Sequence, residues 1–418
     1  MVGLSQTLPP LCLAEGLGAV CFRLTEPHHD KIMTQARTIF SPDHEMFRDS
    51  VRRFIDTEIK PFHADWEEAG VVPRELWRKA GEAGILCCNV AEEYGGTGSD
   101  FLYNTVVTEE LGRAGVTGPG FDVHSDMVAT YLERFGSEEL KQKWLPRMVK
   151  GEVIGAIGIT EPGAGSDVRG IRTSVRREGD EYVINGSKTY ISNGQLCDFV
   201  VVVVKSDPDR PRDAISLILV ETNRPGFQRG RNLKKLGRHA QDTSELFFDD
   251  VRVPVSNLIG EEHVGFKYLT ANLAHERLVI AVRACVVCET TIEQTIEYTA
   301  NRKAFGQTIA DFQNTQFKLA ELHAATVVAR AFIDQCIERQ LRRELDPTTA
   351  AIAKLQLTDL QCKVVDECLQ LHGGWGYMWE FPVCRAYADS RIIRIAGGAA
   401  EVMKQIISRD LFKNFRRT

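Results

Sequence analysis

Two features of the chain predict an α+β protein of several domains, helical at both ends with a β unit between them. Apolar residues recur at helical spacing from Pro42 to about Gly151 and again from Gly265 almost to the end, whereas short β-branched runs fill the span from Val153 to Val253. At 418 residues the chain also exceeds the roughly 250–300 that one core usually serves. The expected divisions are a leading extension over 1–37 that does not fold, a helical domain over 38–152, a β domain over 153–264 and a helical bundle over 265–418.

The leading segment carries only Arg23 and Lys31 as basic groups among its first 32 residues, beside Glu15, Glu26 and Asp30. That composition fits neither a secretory nor a transit peptide, and Met33 is the expected natural start. Ser41-Pro42 followed by Glu45 marks the first helix, with Phe47, Val51, Phe54, Ile55 and Ile59 on its inward side. Leu132, Leu140 and Trp144 continue the helical pattern beyond turns at Gly95-Gly96-Thr97-Gly98 and Gly118-Pro119-Gly120. Strands are expected at 153–159, 182–184, 199–204, 215–220 and 246–248, with Asn185-Gly186 and Asn193-Gly194 as turn dipeptides. Helices at 266–299, 313–341, 347–371 and 399–415, joined by short loops, read as an antiparallel bundle.

Net charge of −6 and no basic run longer than a pair such as Arg416-Arg417 argue against a nucleic-acid partner. No uninterrupted apolar stretch of 18 residues occurs, so no membrane span is expected. Eleven scattered cysteines suit a reducing compartment better than a disulfide framework. The Cys285/Cys288 pair has no second pair and no histidine nearby, and reads as core packing; His28-His29 likewise lacks other ligand types, and no metal is expected.

The sequence's main anomaly is Glu276. It shares a helical face roughly 80° wide with Leu269, Leu273, Ile280, Ala284 and Val287, a face that is otherwise apolar. A carboxylate there must find a partner or shift toward its neutral form. Two readings stand open on the residues alone, a buried pair with Arg277 or a general base tuned by burial.

Four motifs narrow the choice. They are Thr160-Glu161-Pro162-Gly163-Ala164-Gly165-Ser166-Asp167, the N-G-x-K-x-x-I-S-N-G run beginning at Asn185, Arg302-Lys303-Ala304-Phe305-Gly306, and Gln370-Leu371-His372-Gly373-Gly374-Trp375-Gly376-Tyr377. In this order, over nearly everything from Thr38 to Phe415, they resemble the acyl-CoA dehydrogenase family of flavoproteins, and its long-chain members most. The resemblance implies a central β-barrel or sandwich, a C-terminal four-helix bundle, and FAD-dependent α,β-dehydrogenation of an acyl-CoA to a trans-2-enoyl-CoA. It also implies electron-transfer flavoprotein as redox partner, a homo-oligomer (dimer or tetramer), and a place in the bacterial cytoplasm or the mitochondrial matrix.

By the same resemblance, Ile157, Ile159, Thr160, Gly165 and Ser166 would line the flavin, with Tyr190, Ile191 and Ser192 over its ring. Arg302, Phe305, Phe312, Gln313, Gln370, Leu371, His372, Gly373 and Gly374 would hold its pyrophosphate and adenosine across a subunit interface. Ser166, Arg277 and Gly398 would meet substrate. Many relatives carry the base in a Y-E-G-T loop before the last helix, where this chain has Ala396-Gly397-Gly398-Ala399; others carry it within E-R-L, matched here by Glu276-Arg277-Leu278. Glu276 would therefore be the base and the Gly397 N–H a donor to the thioester oxygen. Ala399 and Ala400 replace the usual polar residues, and Gly118-Pro119-Gly120 resembles the stretch that makes room for a long acyl chain. An oxygen-using flavoenzyme on the same fold and a non-catalytic acyl-CoA-binding protein are the alternatives.

Overall fold

The computed structural model describes residues 37–207, 214–413 and 415; the first 36 residues of the leading extension, with Met33 and His28-His29, lie outside them, whereas Arg37, expected to belong to that extension, is tied into the fold by Glu109 and Asp334. In α1 (Pro42–Phe54) Ser41 caps the first turn, and His44 rather than Glu45 closes the box. Counting from Ser41, His44 is the third helical residue, so its ring Nδ1 is the group that reaches back to Ser41 N. Val51, Ile55 and Ile59 are buried, the last two in a π-helical stretch, Ile55–Ile59. Then come α2 (His63–Ala69), α3 (Arg74–Glu82), α4 (Phe101–Arg113), a second π-helical stretch Val123–Val128, α5 (Ala129–Phe135) and α6 (Glu138–Val149). Gly118 and Gly120 in the preceding turn pack tightly: a Cβ would lie 2.8 Å from Ala240 and 2.0 Å from Asn193. They serve close approach to the β domain, which is a different use from opening a pocket.

Eight strands form one sheet: β1 (Gly155–Gly158), β2 (Ser174–Glu178), β3 (Glu181–Ser192), β4 (Phe199–Lys205), β5 (Ile215–Glu221), β6 (Phe227–Asn232), β7 (Thr243–Pro254) and β8 (Leu258–Ile259). The order is β6-β7-β3-β2-β4-β5-β8, with β1 parallel to β4. Its halves join where Ser174 pairs with Lys205, and residues such as Tyr182 and Val253 of one half share a core with Val200 and Ile218 of the other. β4 explains the continuous apolar run at 199–204. Phe199, Val201 and Val203 enter the core shared with the N-terminal helices, and Val200, Val202 and Val204 enter the β core. Asn185-Gly186 is not a turn: it lies within β3, at a register shift against β7. Gly186 is needed there because a Cβ would meet Thr173 at 2.6 Å.

The C-terminal helices are α7 (Gly265–Asn301), α8 (Gln313–Leu341), α9 (Pro347–His372), α10 (Pro382–Ser390) and α11 (Ala400–Leu411), which stops short of the expected 415. Between α7 and α8 lies a small hairpin, β9 (Lys303–Ala304) with β10 (Gln307–Thr308). α7 is buried on nearly every side, so the expected single apolar stripe understates it. Of the expected Glu276 face, Leu269, Glu276 and Ala284 are buried, whereas Leu273, Ile280 and Val287 are only half-buried. Cys285 and Cys288 are buried free thiols in two apolar clusters, as core packing requires. Near the middle of the same helix, Glu289 joins a buried ionic cluster. Arg37, Arg48 and Arg330 reach Glu109 of α4 at 2.7, 3.0 and 2.9 Å, and Arg330 Nε donates to Glu289 at 2.6 Å.

Candidate active site

Glu276 is only 5 % exposed, and its partners are neutral. The Tyr131 hydroxyl, brought by α5, donates to Oε1 at 3.0 Å, and Asn272 Nδ2, one turn earlier on α7, donates to the same oxygen at 3.1 Å. Asn272 is itself fixed by Arg134, whose Nη1 donates to its Oδ1 at 3.1 Å, and by Thr130 at 3.0 Å. The buried pair with Arg277 does not form. Adjacent helical residues diverge by about 100°, and Arg277 instead donates from Nε to the Gly397 carbonyl at 3.4 Å. Burial pushes the Glu276 carboxyl above its ordinary value, and Asn272, Tyr131 and the charge of Arg277 hold back part of the rise.

Opposite this face is the turn Gly397-Gly398. Both residues have positive φ, +66° and +100°, where a side chain is strained. A Cβ on Gly397 would sit 2.4 Å from Ile280 Cδ1, one turn along α7 from Glu276. The Gly398 carbonyl accepts from the fully buried Lys354 at 2.8 Å, which fixes the turn on α9. Ala399 precedes α11 without a side-chain cap, as its missing hydroxyl dictates.

On the β side, the ends of β1 and β3 are tied by Thr189 N donating to Thr160 O at 2.9 Å. Thr160 is half-buried and Gly165 and Ser166 are exposed; nothing lies within 4 Å of a Cβ on Gly163 or Gly165. The loop is held by Glu161, which accepts from Arg172 N at 2.6 Å, Thr173 N at 2.9 Å and Lys188 Nζ at 2.7 Å. Burial draws Lys188 down to about 8 although Glu161 opposes the fall. Tyr190 is 69 % exposed with φ +61° at a second register shift of β3. Ile191 departs from expectation: strand alternation turns its side chain into the β core, leaving only its backbone for a ligand.

A third group lies at the far end of α7. Arg302, Phe305 and Gln313 are exposed around the hairpin, Phe305 at 96 %, and the Phe312 ring meets it edge-on at 6.3 Å. Gln370, Gly373 and Gly374 are exposed at the end of α9, with Leu371 half-buried. His372 departs from expectation too. Its ring is buried, stacked on Tyr298 at 4.2 Å with Nδ1 bonded to Cys368 O, so its imidazole is spent on joining α7 to α9. From position 276 to position 302 is 26 residues of helix, or about 39 Å. Tyr190 and Gly165 offer an open surface, and the exposed arginine and glycines suit a phosphate-bearing tail.

Comparison with known proteins decides the family. Profiles described as acyl-CoA dehydrogenase N-terminal, middle and C-terminal domains match residues 41–152, 156–251 and 263–412. The chain is 47 % identical to the rat mitochondrial long-chain specific acyl-CoA dehydrogenase over 413 residues, covering 97 % of this chain and 95 % of that protein. The chain belongs to the acyl-CoA dehydrogenase family. The pig long-chain specific acyl-CoA dehydrogenase is 48 % identical over 93 % of this chain and 91 % of its own length. Among solved structures, an acyl-CoA dehydrogenase of Geobacillus kaustophilus superposes with a TM-score of 0.89 at 45 % identity, over 90 % of this chain and all of that one. A glutaryl-CoA dehydrogenase of Mycobacterium smegmatis in complex with FADH2 gives 0.83 at 29 %, over 90 % and 95 %. This acyl-CoA dehydrogenase is thus an FAD-dependent oxidoreductase acting on acyl-CoA thioesters, with the three-domain architecture of its family. Among its described residues no helix is long and apolar enough to cross a membrane.

Sequence reasoning passed over Tyr131, Asn272, Glu161 and Lys188. Lys188, inside the strand-rich span, was a usable signal for the last two, since a buried lysine must find a partner. Tyr131 carried none, because its partner is 145 residues away.

Proposed function

We propose that this acyl-CoA dehydrogenase acts on long acyl chains, with Glu276 as the base that removes the α-proton. The observation that carries the base assignment is a buried carboxylate on a half-buried face of α7, held by neutral donors, with a glycine turn that lacks any acid packed on that face. The chain length is supported by 47–48 % identity to long-chain specific relatives. FAD, when bound, supplies the acceptor for the β-hydride.

The chain's own residues do the rest. Glu276 takes the proton in a site where burial has already raised its basicity. The Gly397 N–H, which meets no acceptor among the described residues, would stabilise charge on the thioester oxygen, a donor type worth about 10²–10³ in rate. Gly398 and Arg277 border the same turn, and Ser166 would meet the thioester from the β side. Ile157, Ile159, Thr160, Gly165, Tyr190, Ser192 and the Ile191 backbone would hold the ring of FAD. Arg302, Phe305, Phe312, Gln313, Gln370, Leu371, Gly373, Gly374 and the His372 backbone would hold its phosphates and adenosine from a second subunit, which the 26-residue separation along α7 favours. A homo-oligomer follows from that reading, with electron-transfer flavoprotein as the redox partner. The nine described cysteines, all free, suit a reducing compartment, the bacterial cytoplasm or the mitochondrial matrix.

Anaerobic mixing with acyl-CoAs of graded length and branching tests the proposal through flavin bleaching. Fastest bleaching is expected with long chains. A short-chain optimum would overturn the substrate class, and no bleaching with any thioester would overturn the activity.

A further inference from the structure

Both donors on Glu276 converge on one oxygen. Tyr131 O–H and Asn272 N–H reach Oε1 at 3.0 and 3.1 Å, while Oε2 accepts nothing among the described residues. The convergence is built from two domains: Tyr131, on α5, is fully buried, and Asn272 is locked by Arg134 and Thr130 of that same stretch. We infer that Tyr131 and Asn272 are positioning residues that reserve Oε1 as an anchor and direct the α-proton to Oε2. The inference rests on Glu276 being the base.

The chemistry follows from the hydrogen-bond arithmetic. An oxygen already accepting two bonds is the poorer proton acceptor, so the proton lands on the free oxygen. The α-C–H bond breaks, its electron pair becomes the new C=C as the β-hydride departs to the acceptor, and Oε2 gains the hydrogen. Donors to a carboxylate favour its charged form, opposing what burial does to it. Other titratable groups lie around it. Arg277 and His275 flank it on α7, Arg134 approaches from α5, Asp126 of the Val123–Val128 stretch lies 3.9 Å from His275, and Lys354 of α9 stands behind Gly398. None of them bonds to Oε1, so the hydroxyl of Tyr131 can be removed without altering a charge.

The test is the pH dependence of flavin bleaching in single turnovers, with α-proton exchange of the acyl-CoA in D₂O as a second readout that needs no hydride transfer. A base works only when deprotonated, so its acid limb marks its pKa. In Tyr131→Phe the limb is expected to move up by about 1–2 pH units, the size of a hydrogen bond to a charged group, while the high-pH plateau is retained. Asn272→Ala is expected to move it in the same direction, and exchange should follow bleaching in both. An unmoved limb in Tyr131→Phe would overturn the inference, as would a lowered plateau with the limb in place, which marks a merely structural role. Glu276→Gln separates the two claims: bleaching that survives in it defeats the base itself, whereas bleaching and exchange lost at every pH in Glu276→Gln beside an unmoved Tyr131→Phe limb defeats only the positioning.

Discussion

Glu109 and Glu276 are both buried glutamates on long helices, and their surroundings differ in one respect that separates scaffold from chemistry. Glu109 is met by three arginines. Burial alone would raise its pKa, but Arg37, Arg330 and Arg48 more than offset that and hold it at about 2. Glu276 is met by an amide and a phenol, and there burial wins. A carboxylate surrounded by cations cannot take a proton near neutral pH and serves as a tie among α1, α4 and α8. A carboxylate held by neutral donors stays fixed in place yet able to accept one. Burial is common to both, so the partner's charge is what distinguishes the two uses.

The largest effect expected from this difference is on rate. Glu276→Gln should keep FAD, shown by its visible absorbance, and lose about 10²–10⁴ in flavin reduction, the usual contribution of a general base. Glu109→Gln should do the reverse. It takes one carboxylate from Arg37, Arg48 and Arg330, which keep Asp334, Glu110 and Glu289, at a cost of about 1–3 kcal/mol in stability, with bleaching rates unchanged in the folded fraction. Denaturant unfolding of both variants beside single-turnover bleaching would reveal a crossed pattern. If Glu109→Gln slowed bleaching as much as it weakened folding, the two regions would not be separable.

The contrast also explains what the sequence disclosed. The α–β–α order and the long helices were legible because periodicity is local, and β4 was legible because both its faces are buried. Asn185-Gly186 misled because a dipeptide favoured in turns also suits a bulge where Thr173 presses on the backbone. β2 and β6 were missed because they are mostly exposed and carry few apolar residues. Glu276 stood out against apolar neighbours on its own helix face. Glu109 did not, since the adjacent Glu110 makes the pair look like a solvated surface, and its arginine partners lie 72, 61 and 221 residues away. Tyr131 was hidden for the same reason, and only the fold could supply it.

A smaller effect concerns the sign of the stability change. Glu109 has a folded pKa below the ordinary 4.5, so its stabilisation is present above 4.5 and is lost as pH falls through about 2. Glu276 has its pKa raised, so its charged form costs stability at neutral pH, and that cost fades as pH falls toward 4.5. Glu276→Gln should therefore stabilise the protein at pH 7 by about 0.5–2 kcal/mol, as relief of a functional site usually does, and by less at pH 4.5. A calorimetric melting temperature that falls at both pH values would mean that Tyr131 and Asn272 hold the carboxylate better than its burial harms it.

The smallest effect comes from adding the same methyl group beside each glutamate. Gly112 follows Glu109 by three residues inside α4, where a Cβ would meet Arg283 and Val286 at an ordinary 3.5 Å. Gly112→Ala should stabilise by up to about 1 kcal/mol, the helix-propensity gain of alanine over glycine. Gly397, beside the Glu276 face, has φ +66°, and its Cβ would lie 2.4 Å from Ile280 Cδ1. That atom is the far end of a side chain that can rotate away, so the lasting penalty for Gly397→Ala is the left-handed backbone, about 1–2 kcal/mol. Ile280→Val separates the terms by removing Cδ1. If the Gly397→Ala loss persists in that background, the backbone sets it; if it vanishes, the turn is shaped by contact with α7, and Ile280 becomes part of what shapes the Glu276 face.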